Sequence, residues 1–387
     1  MKRINQIISA IENIKCDERN YLALHEPCNT EKAIEYVNDC LTSGWVSSVG
    51  AYVDLLEKKL QEFTQINHAI AVVNGTSALH VALLALNVCR DDEIILPSLT
   101  FVATANAISY CGAVPHFVDC KRNALVIDVD KLDQYLKETT FLDGSVCINK
   151  STGKPIKALI AVHVLGHAAD LLGLREICDR YNLHLIEDAA EALGTFYRGK
   201  HVGGIGDVAI LSFNGNKIIT TGGGGAVLTN DSDISEKVRH LTTTGRSKDT
   251  LQVSHDTIAY NYRLANINAA LGCSQMEYLP EFVEQKRTLA ERYRNIFSGI
   301  ENITYVSEPA HSRSNYWLNA IIVEDGNSEF CQELLHAAEI RNIQLRLLWK
   351  PLHKLGMYID CPKMDLSTTE DLEFKVVTLP SSSYLGR

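Results

Sequence analysis

A single lysine, Lys217, interrupts an otherwise uncharged stretch, VAILSFNGNKIITTGGGGAVLT, that runs from Val208 to Thr229. In an apolar, glycine-rich setting an amine can shed its proton by desolvation and attack an aldehyde. Upstream, the apolar run Leu183 to Ile186 ends on two acids, Glu187 and Asp188, and the run Val208 to Phe213 delivers a hydroxyl at Ser212. An amine, a carboxylate against a pyridine nitrogen and a cradle for a phosphate are the needs of one aldehyde cofactor, pyridoxal phosphate. Lys217, Asp188 and Ser212 can supply parts of all three. Spacing alone leaves a second assignment open, with Asp188 as a helix cap, Lys217 as a surface charge and Gly222 to Gly225 as a plain loop.

Both runs have the length and bounding of buried parallel strands, whose carboxyl ends are where ligands sit in open α/β sheets. Earlier, HAIAVVNGTSALHVALLALNV reads as a strand that breaks at Asn74-Gly75 into Thr76, Ser77 and a helix. Free N–H groups and the positive end of the helix dipole make such a turn an anion site, unless Thr76 or Ser77 merely caps the helix. The alternation of strand and helix from Ala71 to Thr229 predicts a mostly parallel sheet with crossover helices. Within it, FLDGSVCINKSTGKPIK is expected to be a surface insertion. His163 and His167 stand four apart at the end of a strand, where opposed geometry argues against a metal pair, although His163 can face the site. GGIGD at 203–207 lacks the strand, spacing and helix of a dinucleotide fingerprint. From 281 onward the pattern reads as a smaller α+β domain, in which Arg313 and Arg346 are candidates for phosphate or sugar because a guanidinium fork suits phosphate oxygens.

Composition sets outer bounds. The chain has 387 residues, 46% hydrophobic and 22% charged, enough for two domains and a sizeable core. A net charge of -10 argues against nucleic-acid or membrane partners but not against a small anionic substrate. The 11 cysteines are scattered without CxxC or zinc spacing and read as small apolar residues in a reducing cytosol. No targeting or spanning segment is evident, so a cytoplasmic protein is expected. Ile4, Ile7, Ile8, Ile11 and Ile14 recur at helical spacing and predict an amphipathic N-terminal helix, packed on the body or on a second subunit.

IEDAAEALG followed by SFNGNKIITTGGGG resembles the DegT/StrS family of sugar aminotransferases, whose pattern is a strand ending in EDAAQ, then SF, three residues, K and TTGEGG. The resemblance extends from about Tyr21 to Ser383. Glu191 in place of glutamine, NGNKIITT, NYWLNA and RLLWKPLH resemble the branch acting on UDP-linked 4-keto-6-deoxy-N-acetylhexosamines in legionaminic acid and bacillosamine pathways. Gly223 for glutamate and Leu347 for proline depart from the family pattern, the second inside the expected sugar pocket.

The resemblance implies an α/β aminotransferase of fold type I: an N-terminal helix (1–20), a large cofactor domain (21–245) and a small C-terminal domain (246–387). It implies that Lys217 carries pyridoxal phosphate and shuttles a proton, that Asp188 holds the pyridine nitrogen, and that Glu191 bonds the phenolic oxygen. Phe101 and Ala190 would flank the ring, and Gly75, Thr76, Ser77 and Ser212 would hold the phosphate. Asn261 of an NYR motif would reach the cofactor phosphate of a neighbouring subunit, giving a homodimer with shared sites, and Trp45 of GWVSSVG would lie at the substrate mouth. An amino acid, glutamate first, would donate the amine to a nucleotide sugar. A dehydratase of this fold carries histidine at the lysine position, so Lys217 speaks against that activity. Amination at C3, a dTDP- or GDP-linked substrate, and a non-catalytic regulatory relative stay open.

Overall fold

The computed structural model describes residues 2–14, 20–28, 30–247 and 252–387. Cys16 and the end of the polar turn at 242–250 lie outside them. Seven strands form the backbone of the main sheet: β1 His68–Val72, β2 Glu93–Pro97, β3 Val114–Val118, β4 Pro155–Val162, β5 His184–Asp188, β6 Val208–Ser212 and β7 Gly225–Thr229. Their spatial order is β1-β7-β6-β5-β4-β2-β3. Neighbours from β6 to β3 pair in parallel, while β7 runs antiparallel to both β6 and β1. Among the described residues the sheet has nine strands. The other two are Thr140–Asp143 and Val146–Asn149, a hairpin whose second strand pairs with β4 at Cys147 and Ile148. The segment lies at the surface as expected, with Phe141, Leu142 and Val146 exposed, but it is a hairpin and not a bare loop: the polar turn residues mark its bend, and its short strands extend the sheet.

These strands are apolar throughout because both sheet faces are covered, and alternate residues enter different cores. Leu185, Ala209 and Leu211 join one core, with Leu56, Leu60 and Leu174 from flanking helices. Ile186, Val208 and Ile210 join the other, with Leu79, Leu83 and Ile108. This period of two sends Glu187 and Asp188 to opposite faces and puts Asp188 on the same face as Ser212.

A second sheet, ordered Ile303–Tyr305, Asn319–Val323, Val376–Leu379, Arg346–Leu347, is antiparallel. The N-terminal helix Lys2–Glu12 buries Ile4, Ile7, Ile8 and Ile11 in the core of this second sheet, beside Tyr293, Phe297 and Ile321. A helix from Asn266 to Phe297 links the two layers, contributing to the core beneath the main sheet at one end and to the small-domain core at the other.

Candidate active site

The carboxyl edge of the parallel strands brings the chemistry together. Gly225, the first residue of the antiparallel β7, pairs with Ser212 on one side and Val72 on the other. The helix Gly75–Ala85 therefore starts immediately beside the Ser212 hydroxyl. A Cβ on Gly75 would lie 3.0 Å from the Ser212 Cβ, and one on Gly225 would lie 2.8 Å from the Gly75 nitrogen. At Gly225, where the nearest atoms are backbone, only glycine permits that approach; at Gly75 a side chain would have to displace Ser212. The helix is capped by Asn74, whose Oδ1 accepts from the Ser77 nitrogen at 2.7 Å, and not by Thr76 or Ser77. Their hydroxyls are thereby released, and the first amides of the helix, at Gly75 and Thr76, have no acceptor within it.

Asp188 ends β5 almost fully enclosed. Its Oδ2 accepts from the Thr104 hydroxyl at 2.8 Å and its Oδ1 from the Ala190 nitrogen at 3.2 Å. Burial pushes its carboxyl above the ordinary range, against those hydrogen bonds and the positive charge of Lys217. A carboxylate so desolvated is suited to a buried cationic N–H.

Lys217 sits on a tight excursion between β6 and β7, closed by Phe213 N to Gly224 O at 2.8 Å and Thr221 N to Phe213 O at 3.0 Å. Its Nζ lies 3.4 Å from Glu191 Oε1 and 3.9 Å from the centroid of the Trp317 ring. The other oxygen of Glu191 accepts from the Leu165 nitrogen at 2.8 Å. Desolvation raises the Glu191 carboxyl, with Lys217 acting against it. Asn315 ties these pieces together: its Nδ2 donates to the Glu191 and Leu193 carbonyls at 2.9 Å, and its Oδ1 accepts from the Trp317 nitrogen at 2.8 Å.

A cavity of about 230 Å³ is lined by Asn216, next to the lysine in the chain, and by Trp317, over whose ring the lysine stands, together with His25, Arg346, Leu347 and Trp349 among others. Arg346 thus stands at the site. Phe101 is 53% exposed and lies near Trp349, with ring centroids 6.4 Å apart. Trp45 is 59% exposed, and its carbonyl is held by Asn266 Nδ2 at 2.6 Å, so it is not a core anchor. Asn261 is exposed on the backbone bridge to Thr243.

Two candidates are engaged elsewhere. His163 is fully buried with its Nε2 3.1 Å from Glu187 Oε2, and its Nδ1 accepts from the Ala169 nitrogen at 3.1 Å. Glu187, on the opposite face from Asp188, also accepts from the amides of Ile205 and Gly206 at 2.9 and 2.6 Å and from that of Gly203. The GGIGD turn therefore wraps an internal carboxylate. Arg313 ion-pairs with Glu284 and lines a separate groove with Phe196 and His311. Thr104, Asn315, Trp317 and His25 went unassigned from sequence. Trp317 and Asn315 lay within NYWLNA but carried no role, and Thr104 is an ordinary helix threonine until Asp188 is placed beside it.

These residues fit pyridoxal phosphate: a buried acid for the ring nitrogen, an amine beside a second acid, and a backbone cradle built by close approach. A model of the DegT/DnrJ/EryC1/StrS aminotransferase family matches residues 27–387. The chain is 39% identical over 337 residues to a GDP-perosamine synthase of Vibrio cholerae, covering 87% of each chain. It is 37% identical to that of Escherichia coli O157:H7, covering 93% of each. Among solved structures, PseC of Helicobacter pylori, an aminotransferase involved in pseudoaminic acid biosynthesis, superposes with a TM-score of 0.82 at 28% identity over 93% of both chains. The chain belongs to the DegT/DnrJ/EryC1/StrS aminotransferase family and is a sugar aminotransferase that depends on pyridoxal phosphate.

Proposed function

We propose that the protein moves the amino group of an amino acid, L-glutamate first, to the C4 keto group of a nucleotide-linked 4-keto-6-deoxyhexose in bacterial surface-sugar synthesis. The observation that carries this reading is the cluster of Lys217, Glu191 and Trp317, whose tryptophan lines the cavity that also holds Arg346. Pyridoxal phosphate, when bound, supplies an aldehyde carbon for the amine and an electron sink for the adjacent carbanion.

The chain supplies the rest. Asp188 keeps a proton on the pyridine nitrogen, and Thr104 fixes the carboxylate for that task. Glu191 bonds the phenolic oxygen. Ser212, Gly75, Thr76 and Ser77 bind the phosphate, and Phe101 and Ala190 flank the ring. Lys217 Nζ takes a proton from the donor carbon and returns it, held in place by Glu191 and the face of Trp317.

The UDP-linked 4-keto-6-deoxy-N-acetylhexosamine is supported by the resemblance of NGNKIITT and Glu191 to one branch of the family. A GDP-linked hexose is the second reading, favoured by the two GDP-perosamine synthases among the relatives. Exposed Phe101, Trp45 and Asn261 support a homodimer in which each copy covers the other's site. A reducing, cytoplasmic setting is supported by the ten described cysteines, all free. The test is turnover with glutamate against UDP- and GDP-linked 4-keto-6-deoxy sugars, with the aminated position read by NMR. Amination of one class at C4 is expected; amination at C3, or of none, contradicts the proposal. Subunits carrying Lys217→Ala and Asn261→Ala, when mixed, should regain activity that neither has alone.

A further inference from the structure

His25 is pinned on both sides, and its ring has no partner among the described residues. The Leu24 nitrogen donates to Gln344 Oε1 at 2.9 Å, and the Glu26 nitrogen donates to Ser382 Oγ at 2.9 Å. Between these anchors the imidazole lines the cavity beside Lys217, together with Asn216, Trp317 and Arg346. Both ring nitrogens are shielded from bulk solvent, and neither has a protein partner among the described residues. Leaving polar atoms so placed costs stability, so an imidazole at this spot is understandable as a ligand-binding group.

We propose that His25 is a specificity-determining residue that binds the acceptor sugar, its ring donating one hydrogen bond and accepting another at a hydroxyl or amide substituent of the hexose. This rests on the nucleotide-sugar reading above. Among the described residues no carboxylate lines the cavity to hold an imidazolium. Burial and then the charges of Lys286 and Lys217 push the ring's pKa well down, so it is neutral, with one donor and one acceptor. Such a ring matches a hydroxyl or an amide. It matches the carboxylates of glutamate poorly, and the nearby Arg346 is the better anion ligand.

The test uses the holoenzyme with His25→Leu and His25→Gln, its two half-reactions separated by stopped-flow absorbance. UDP- and GDP-linked 4-keto-6-deoxy sugars are the acceptor probes. With His25→Leu the second-order rate constant for the sugar half-reaction should fall about tenfold or more, while that with glutamate stays within about twofold. His25→Gln, which keeps a donor and an acceptor, should regain part of the loss. The apo form of His25→Leu should melt no lower than wild type, because two unpaired buried nitrogens have been removed. A sugar half-reaction unchanged in His25→Leu, or one that falls in step with the glutamate half-reaction and the melting temperature, overturns the assignment. A wild-type enzyme that takes the amine from glutamate but passes it to none of the sugars overturns the nucleotide-sugar reading and this one with it, a failure visible before any variant is made.

Discussion

Lys217 and Lys286 are both withdrawn from solvent, and both reach Trp317, one at its ring and the other at its carbonyl. Lys217 Nζ stands over the indole ring, with Glu191 3.4 Å away and a cavity alongside. Lys286 is fully buried on the helix Asn266–Phe297, and its Nζ donates to the carbonyls of Trp317, at 3.0 Å, and of Ser381. Desolvation pushes its pKa well down, with no carboxylate among the described residues to oppose it. Lys286 is thus a brace between the helix and the small-domain sheet. Burial alone does not make a lysine reactive in this fold. An acid, an aromatic face and room for a ligand are what separate Lys217 from its neighbour.

The largest expected effect comes from breaking the reactive member. Lys217→Ala should lower turnover by more than about 1000-fold while leaving the melting temperature close to wild type, since no backbone group depends on its amine. Loss of folding in this variant would put Lys217 in the class of Lys286. Asp188→Asn should cost on the order of 100-fold in kcat, and Thr104→Val about tenfold, because the first removes the charge and the second only its orientation. Equal losses would show that Thr104 acts on its own account.

Lys286→Met should show the converse pattern. Two buried carbonyls lose their donor, so unfolding free energy should drop by about 1–3 kcal/mol, read from urea denaturation, while kcat falls less than about tenfold. A large loss of kcat at unchanged stability would make Lys286 part of the reaction.

Acid sharpens the same contrast between enclosed and ligand-facing groups. Burial holds His167 and His201 at a pKa of about 4, against an ordinary value of 6.5. His201 Nε2 accepts from the Gly194 nitrogen at 2.9 Å, a bond that protonation removes. Between these two values the unfolded chain binds more protons than the folded one. The stability owed to each neutral ring is complete above about pH 6.5 and is lost as pH falls toward 4, by up to roughly 3 kcal/mol per histidine. The urea midpoint should therefore fall between pH 7.5 and 5. A midpoint that holds steady over that interval would contradict this.

The cofactor end of the site was legible in the sequence because strand ends and tight turns leave local marks. Asp188 closes an apolar run, Ser212 closes the next, and the Gly75 turn opens a helix. The alternation of those runs also foretold the parallel sheet. What lay hidden depends on contacts between distant segments. Asn315 joins the Glu191 turn to Trp317 across 124 positions of chain, and no local pattern distinguishes such an asparagine from a surface one. His163 misled because its place at a strand end was clear but its side was not: the pleat turns it to Glu187. The hairpin at 140–149 was missed because its strands are short and its polar residues resemble those of a loop.

Reduction of the holoenzyme with borohydride, followed by mass spectrometry of its peptides, tests the central assignment most directly. A phosphopyridoxyl group is expected on Lys217 and none on Lys286, with the label lost when glutamate is added before the reductant. A label on Lys286, or on any lysine but Lys217, would contradict it.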